Sequence, residues 1–398
     1  MEHIGILGGS FNPPHIGHIR AAKYAAQALG LTRVLLVPAS QVPHKQTTAE
    51  EPSPLQRLEM TRLAVQNEPL LEACSLEMER GGTSYTWDTI RQLRAQYPDA
   101  EFTLLLGSDM FQCFSQWQNA NLIAQNAALA VLSRGGKHEQ EKNRAAMELL
   151  CAQGAKVTEL CNPVTEISST QVRRLLAFQC GDEFLPGNVA SYVHEQKLYD
   201  TDANWKHLPM EQLESIVVRL LNPNRVRHVL GCRDTCVALA KRWGADETDA
   251  ARAGLLHDIT KALDGPLQLT LCRAYGKILD DFSMKYPKTL HALTGSLVAQ
   301  RIFGENSRVV SAICSHTTGK ADMDVLETIV YVADYIEPRR YKAPNLPQIR
   351  HMAFVDIDRA LLMILADTLS YLKKTGNWID EQTVKTYDYY KALLEGED

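Results

Sequence analysis

The chain lacks any run of about 18 consecutive apolar residues, the length a helix needs to cross a bilayer, so no membrane span is expected. It lacks a C-x-x-C pair: its 9 cysteines, an odd number, are scattered singly, which argues for reduced, mostly buried thiols and against a disulfide framework. It lacks a basic excess. With 42 Lys and Arg against 47 Asp and Glu the formal net charge is −5, which excludes a nucleic-acid-wrapping surface and confines polyphosphate binding to local pockets. A secretory signal would need a basic head and a longer apolar stretch than MEHIGILGGSFNPPHIGH offers, so export is not expected. These absences together place the expected protein in the cytoplasm, with small nucleotides as the better class of partner. Internal repeats and low-complexity segments are also missing.

What is present is a globular composition, 45% hydrophobic and 22% charged, over 398 residues, enough for two domains that each bury a core. The first half alternates apolar strand-like runs (HIGIL, RVLLVP, FTLLLG, ALAVLS) with helical stretches such as RAAKYAAQALG and the segment around RLEMTRLAVQ. That alternation predicts a parallel sheet wrapped by helices. From about Met210 onward amphipathic helical patterns take over: EQLESIVVRLL, DTCVALAKRW, TDAARAGLLHD, LTGSLVAQRIF and VLETIVYVADYIE. The polar, proline-ended YDTDANWKHLP separates the two styles. The expected division is therefore a domain over 1–200, a linker over 201–208 and an all-α domain over 209–398.

Directly after the strand IGIL comes GGSFNPPHIGH, in which Gly8 and Gly9 are expected to let the backbone turn tightly and approach a phosphate, with Ser10 beside them as a substrate contact. His15 and His18, three apart at the start of the following helix, fall on one face near its N-terminus, where amides and the dipole attract anions. A second piece, ISSTQVR, places Ser168, Ser169, Thr170 and Arg173 at a predicted helix N-terminus, where hydroxyls and a guanidinium converge on phosphate oxygens. Alone it reads equally as a plain N-cap with a surface arginine. Paired with the histidines, the phosphate reading is preferred.

The sequence resembles the nucleotidyltransferases with the H-x-G-H signature and, within them, the bacterial nicotinate-nucleotide adenylyltransferases, over roughly residues 1–200. Beyond H-x-G-H and ISSTQVR, the matching pieces are PHK ending in Lys45, SYTWDTI with Thr86 and Thr89, GSDMFQCFSQW with Asp109 and Trp117, and SRGG with Arg134. Ile90 and Val172 depart from the leucine and isoleucine expected there. The resemblance implies a Rossmann-like α/β fold and attack of the 5′-phosphate of nicotinate mononucleotide on the α-phosphorus of ATP. It implies His15, His18, Lys45 and Arg173 around the triphosphate with Mg²⁺ bridging its oxygens. Trp117 would stack on the pyridine ring, or else serve as a packed core indole, and Arg134 would hold the mononucleotide phosphate. Asp109 would contact purine or ribose, or cap a loop. Because H-x-G-H alone does not choose the acceptor, another phosphate such as phosphopantetheine stays open.

In the second half His228, His257, Asp258, His291, His316 and Asp334 fall on or at the ends of successive predicted helices. In TDAARAGLLHDIT the His-Asp pair ends an apolar run, so both side chains are expected to point into the bundle, where an unpaired carboxylate is costly and metal coordination relieves the cost. Imidazole and carboxylate without thiolate suit iron or manganese, and also zinc. The order H, HD, H, H, D resembles the HD phosphohydrolase superfamily over about 209–395. RVRHVLG, LLHDITK, HTTG and YVADYIEPRR look like the bacterial symmetrical diadenosine tetraphosphatases. That resemblance implies a helical HD bundle with His228, His257, Asp258 and Asp334 as iron ligands, and His291 and His316 on a second metal or the phosphate chain. Arg225, Lys261, Thr317 and Arg340 would contact an ADP-like product, the arginines reading also as surface ion pairs. The implied reaction releases two ADP from diadenosine tetraphosphate. A nucleotide-sensing module without turnover and a hydrolase of another phosphate ester are the other readings. The oligomeric state, a homo-oligomer included, is not legible.

Overall fold

The continuous apolar runs of the first half become neighbouring strands of one sheet. In the computed structural model, which describes residues 2–41, 51–133, 137–161, 167–279, 284, 289–343 and 345–396, these strands are β1 (His3–Gly9), β2 (Arg33–Pro38), β3 (Leu71–Ala73), β4 (Glu101–Gly107), β5 (Ala128–Ser133) and β6 (Val157–Cys161). Their order is β3-β2-β1-β4-β5-β6, and every pairing is parallel. The chain winds outward from β1 to β3, then returns to β4 on the other side of β1. The crevice beyond the C-terminal ends of β1 and β4 is therefore the switch point where open α/β sheets take ligands.

Helices form where cap chemistry and apolar periodicity agree. Ser53 and Gln56 make a reciprocal capping box at the helix Pro54–Val65, and Ser168 and Gln171 make another at Ser169–Ala177. Ile4, Leu35, Leu104, Leu129 and Val131 fill one buried cluster of the sheet, to which Ile90 contributes from the helix Thr86–Gln96.

The chain divides into two units, Met1–Asp202 and Ala203–Asp398. Of the stretch 201–208, expected as a linker, Trp205 is buried and stacks on Phe303 with ring centroids 5.8 Å apart. The His207 amide donates to the Phe303 carbonyl at 2.9 Å.

Among the described residues the second unit holds helices and no strand, including Pro223–Trp243, Glu247–Leu256, Leu290–Arg301, Ser307–Ser315 and Val325–Ile336. Asn222, Asp246, Asn306 and Asp324 cap four of these through side-chain oxygens that accept first-turn amides. Gly254 lets Pro223–Trp243 and Glu247–Leu256 approach closely: a Cβ there would lie 2.8 Å from the Arg233 Cα and 2.9 Å from the Cys236 Sγ. No helix among the described residues is long and apolar enough to cross a membrane.

Candidate active sites

The first site grows from the loop after β1. Gly8 and Gly9 are extended residues of β1, and the tight turn expected of them is made instead by Phe11, whose φ is 45°. A Cβ on Gly8 would meet nothing within 4 Å, so that side of the strand end is open. Three loop carbonyls are held from distant elements: Ser10 O accepts from Arg57 Nη1 at 2.8 Å, Asn12 O from Arg173 Nη1 at 2.6 Å, and Pro13 O from Ser169 Oγ at 2.9 Å. Arg57 also donates to Ser40 O at 2.9 Å, tying the loop to the end of β2. Burial lowers the pKa of both guanidiniums, yet each stays a cation at any working pH. Tyr199, itself at φ 58°, donates to Asn12 Oδ1 at 2.8 Å.

His15 caps the helix Ile16–Leu29 and is buried, with its ring 3.7 Å from that of half-buried His18. The His15 amide donates to His18 Nδ1 at 3.2 Å, so the proton of neutral His18 sits on Nε2. Burial pushes the imidazole down to about 4. His18 is thus a neutral hydrogen-bond donor at a helix N-terminus.

Thr86 opens the helix Thr86–Gln96, and the preceding loop is stitched to the end of β2, the Ser40 amide donating to Ser84 Oγ at 2.9 Å. Thr89 is buried on Glu77 and Arg80 and so supports the fold. Asp109 and Trp117 follow β4, on the other side of the crevice from the glycine loop. Asp109 is exposed, whereas Trp117 is half-buried and packs at 5.4 Å on Phe114, which partly fits the core-indole reading. Thr170 keeps Arg173 in place at 3.1 Å. Lys45 and Arg134 lie outside the described residues.

The second site lies where five helices present imidazoles and carboxylates to one another. His257 and Asp258 are fully buried at the end of Glu247–Leu256, and His316 is buried at the end of Ser307–Ser315. His228 Nε2 lies 3.1 Å from Asp334 Oδ1 and 3.6 Å from Asp258 Oδ2, and His257 Nε2 lies 3.8 Å from Asp334 Oδ1 and 3.5 Å from Asp258 Oδ2. On the other oxygen of Asp258, His291 Nε2 stands at 3.6 Å and His316 Nε2 at 3.9 Å, the two imidazole nitrogens being 3.2 Å apart. Asp258 therefore joins two sets, His228/His257/Asp258 and Asp258/His291/His316, whose ligand atoms are mutually close enough for an ion.

The hydrogen bonds of the outer ring nitrogens make these sets fit a cation. His257 Nδ1 lies 2.8 Å from Gly254 O, His316 Nδ1 2.7 Å from Ile313 O and His228 Nδ1 3.2 Å from Glu337 Oε1, each an acceptor that calls for a proton on Nδ1. In neutral rings that leaves Nε2 lone pairs facing carboxylate oxygens, and among the described residues the buried Nε2 of His228 and of His257 has no hydrogen-bond partner. Lone pair against carboxylate is repulsive unless a cation lies between them. Burial also holds His316 down to about 4, the neutral form a metal ligand needs.

The cations read from the sequence as phosphate contacts surround these sets. Arg225 pairs with Asp258, Arg340 Nη2 reaches Asp334 Oδ1 at 3.2 Å, and Lys261 Nζ lies 2.9 Å and Thr317 Oγ1 3.1 Å from His291 Nε2. Arg57 and Tyr199 carry no motif of their own, and Gly231 and Glu337 fall within RVRHVLG and YVADYIEPRR although neither motif by itself assigns them a role.

Residues 6–175 match the cytidylyltransferase-like family, and residues 225–339 match the HD domain. A protein of Herpetosiphon aurantiacus described as a probable nicotinate-nucleotide adenylyltransferase is 36% identical over 200 residues, which cover 50% of this chain and 99% of that protein. A Gloeobacter violaceus protein of the same description is 39% identical over 51% of this chain and 98% of its own length. The chain belongs to the nicotinate-nucleotide adenylyltransferase family. Membership resides in the first unit, to which an HD domain is fused, and the sites described above fall one in each. A Clostridium acetobutylicum crystal structure described as a predicted HD superfamily hydrolase involved in NAD metabolism is 32% identical, with a TM-score of 0.45, over 47% of this chain and 98% of that one.

Proposed function

We propose that the chain is bifunctional: the first unit makes nicotinate adenine dinucleotide from ATP and nicotinate mononucleotide, and the HD unit cleaves diadenosine tetraphosphate symmetrically. The observation that carries the first half is the neutral Nε2–H donor of His18 at a helix N-terminus beside the β1/β4 crevice. In the proposed reaction a phosphate oxygen of the mononucleotide attacks the α-phosphorus of ATP and pyrophosphate leaves, with no covalent enzyme intermediate. The protein's part is positioning and charge stabilisation. His18 donates to a triphosphate oxygen, the helix amides after His15 add their dipole, and Arg173 with Ser169 and Thr170 holds both loop and phosphates. Lys45 and Arg134 are proposed as further phosphate contacts, Trp117 as the platform for the pyridine ring and Asp109 as the nucleoside contact. Mg²⁺ would neutralise the triphosphate.

For the HD unit the supporting observation is Asp258 shared by two imidazole sets. His228, His257, Asp258 and Asp334 would hold iron, with manganese or zinc as the other candidates for this nitrogen and oxygen donor set, and His291 with His316 a second ion. Such an ion supplies an activated water and polarises a phosphoryl oxygen. Arg225, Lys261, Arg340 and Thr317 would bind the polyphosphate chain, and the positive charge of the two arginines and the lysine would stabilise ADP as the leaving group. The fused activities suit clearance of an adenylylated by-product of the first unit.

A two-part assay tests the reading. Given ATP and nicotinate mononucleotide, the chain should yield dinucleotide and pyrophosphate. Given diadenosine tetraphosphate and ferrous iron, it should yield ADP alone. AMP with ATP in the second part would refute symmetrical cleavage, and no turnover despite bound metal would favour a sensing module.

A further inference from the structure

We infer that Glu337 is a positioning residue that orients His228 toward the metal, and that position 231 is glycine because this carboxylate occupies the space a side chain would fill; the inference rests on the metal-site reading of the HD unit. The histidines of the cluster find their outer acceptors in two different ways. His257 and His316 stand at helix C-termini, where the carbonyl three residues back is free to accept from Nδ1, as Gly254 O and Ile313 O do. His228 lies inside the helix Pro223–Trp243, where the backbone carbonyls of the preceding turn are already engaged by the helix itself. Its Nδ1 needs an acceptor from elsewhere in the chain, and the buried Glu337 supplies it at 3.2 Å across 109 residues of sequence.

A carboxylate is a stronger acceptor than a peptide carbonyl, so this pairing fixes the ring's tautomer and raises the donor strength of Nε2. Asp334 and Glu337, three residues apart at the end of Val325–Ile336, thereby flank one imidazole, Glu337 Oε1 accepting from Nδ1 at 3.2 Å and Asp334 Oδ1 standing 3.1 Å from Nε2, on the side where the cation would lie. The second oxygen of Glu337 is held by the Arg339 amide at 2.6 Å. Arg350 anchors the turn, donating to Ile336 O and Glu337 O at 2.8 Å each and to Arg340 O at 2.9 Å.

Gly231, one turn after His228, faces the same carboxylate. A Cβ there would lie 2.8 Å from Glu337 Oε2 and 3.6 Å from Pro338 Cδ. That oxygen belongs to a group fixed at both ends, so it cannot yield cheaply. Gly231 has an ordinary helical backbone, and its lack of a side chain is explained by this contact and not by backbone conformation.

The test is metal affinity of the full chain, measured by chelator competition with Mn²⁺, together with the visible spectrum of the Co²⁺-loaded protein. Wild type is compared with Glu337→Ala, Glu337→Gln, Gly231→Ala and, as a reference, His228→Ala. Glu337→Ala should bind Mn²⁺ about 10- to 100-fold more weakly. Glu337→Gln, which keeps an acceptor oxygen but not the charge, should recover part of that loss and shift the Co²⁺ bands. Gly231→Ala should weaken binding with Glu337 intact, which a purely structural role for Glu337 does not predict. Equal affinity in wild type and both Glu337 variants would overturn the inference while leaving the metal site standing. Equal affinity in wild type and His228→Ala would overturn the metal-site reading itself.

Discussion

The His15 amide donates to His18 Nδ1 at 3.2 Å, and that one bond assigns the His18 proton to Nε2. The same helix start that attracts a phosphate thus also presents a donor to it. Because burial pushes His18 down to about 4, its donor role should be constant over the neutral range.

Two outcomes follow for His18. Removing it, as His18→Ala, should lower adenylyl transfer by about 10²–10³ in kcat, the loss typical of one preorganised donor. The wild-type rate should show no His18 inflection near pH 6.5. An inflection there that disappears in the variant would contradict the neutral-donor assignment. The sign for stability is equally definite. Between about pH 6.5 and 4 the unfolded chain binds a proton that folded His18 refuses, so the His18 contribution to stability falls as pH falls through that window and is level above it.

Arg57 is the clamp between the β1 loop and the end of β2. Arg57→Met would leave Ser10 O and Ser40 O without their guanidinium donor, at a cost of about 1–3 kcal/mol for buried acceptors. Arg57→Lys can serve one carbonyl at most and should fall between. Denaturant unfolding followed by a probe in the first unit measures the cost, and the KM for ATP should rise in the same order. Unchanged stability and KM in Arg57→Met would remove the clamp from the account.

Gly254→Ala tests the helix contact beneath the HD cluster. The added methyl would meet the Arg233 backbone at 2.8 Å, so the helices Pro223–Trp243 and Glu247–Leu256 must separate, at about 1–3 kcal/mol. His257 Nδ1 bonds to the carbonyl of that same residue, so metal retention after dialysis should fall with stability. Retention equal to wild type would show that the cluster tolerates the shift.

The four central strands were legible because each is a continuous apolar run buried on both faces, whereas β3, three residues long, and β6, with the exposed pattern of VTELC, carry no such run. The histidines of both sites were legible because motif order survives in one dimension. The glycine loop differs in detail from the sequence expectation: Gly8 and Gly9 continue β1, and the chain turns two residues later, at Phe11. Arg57 was not legible, since its partner is 47 residues away and in sequence it is an ordinary polar residue in a helix; Glu337 lies within YVADYIEPRR, but its role was not legible because the imidazole it holds is 109 residues away. Arg225 and Arg340, read as phosphate ligands or surface pairs, lie against the buried Asp258 and the half-buried Asp334, within the imidazole and carboxylate cluster and not on an open surface.

The most direct test of the central claim, two independent sites on one chain, is product analysis of two reciprocal variants of the full protein. Asp258→Asn should stop ADP formation from diadenosine tetraphosphate and leave dinucleotide synthesis at the wild-type rate. His18→Ala should do the reverse. If either substitution removed both activities in a protein that remains folded, or if Asp258→Asn still released ADP at the wild-type rate, the account would be contradicted.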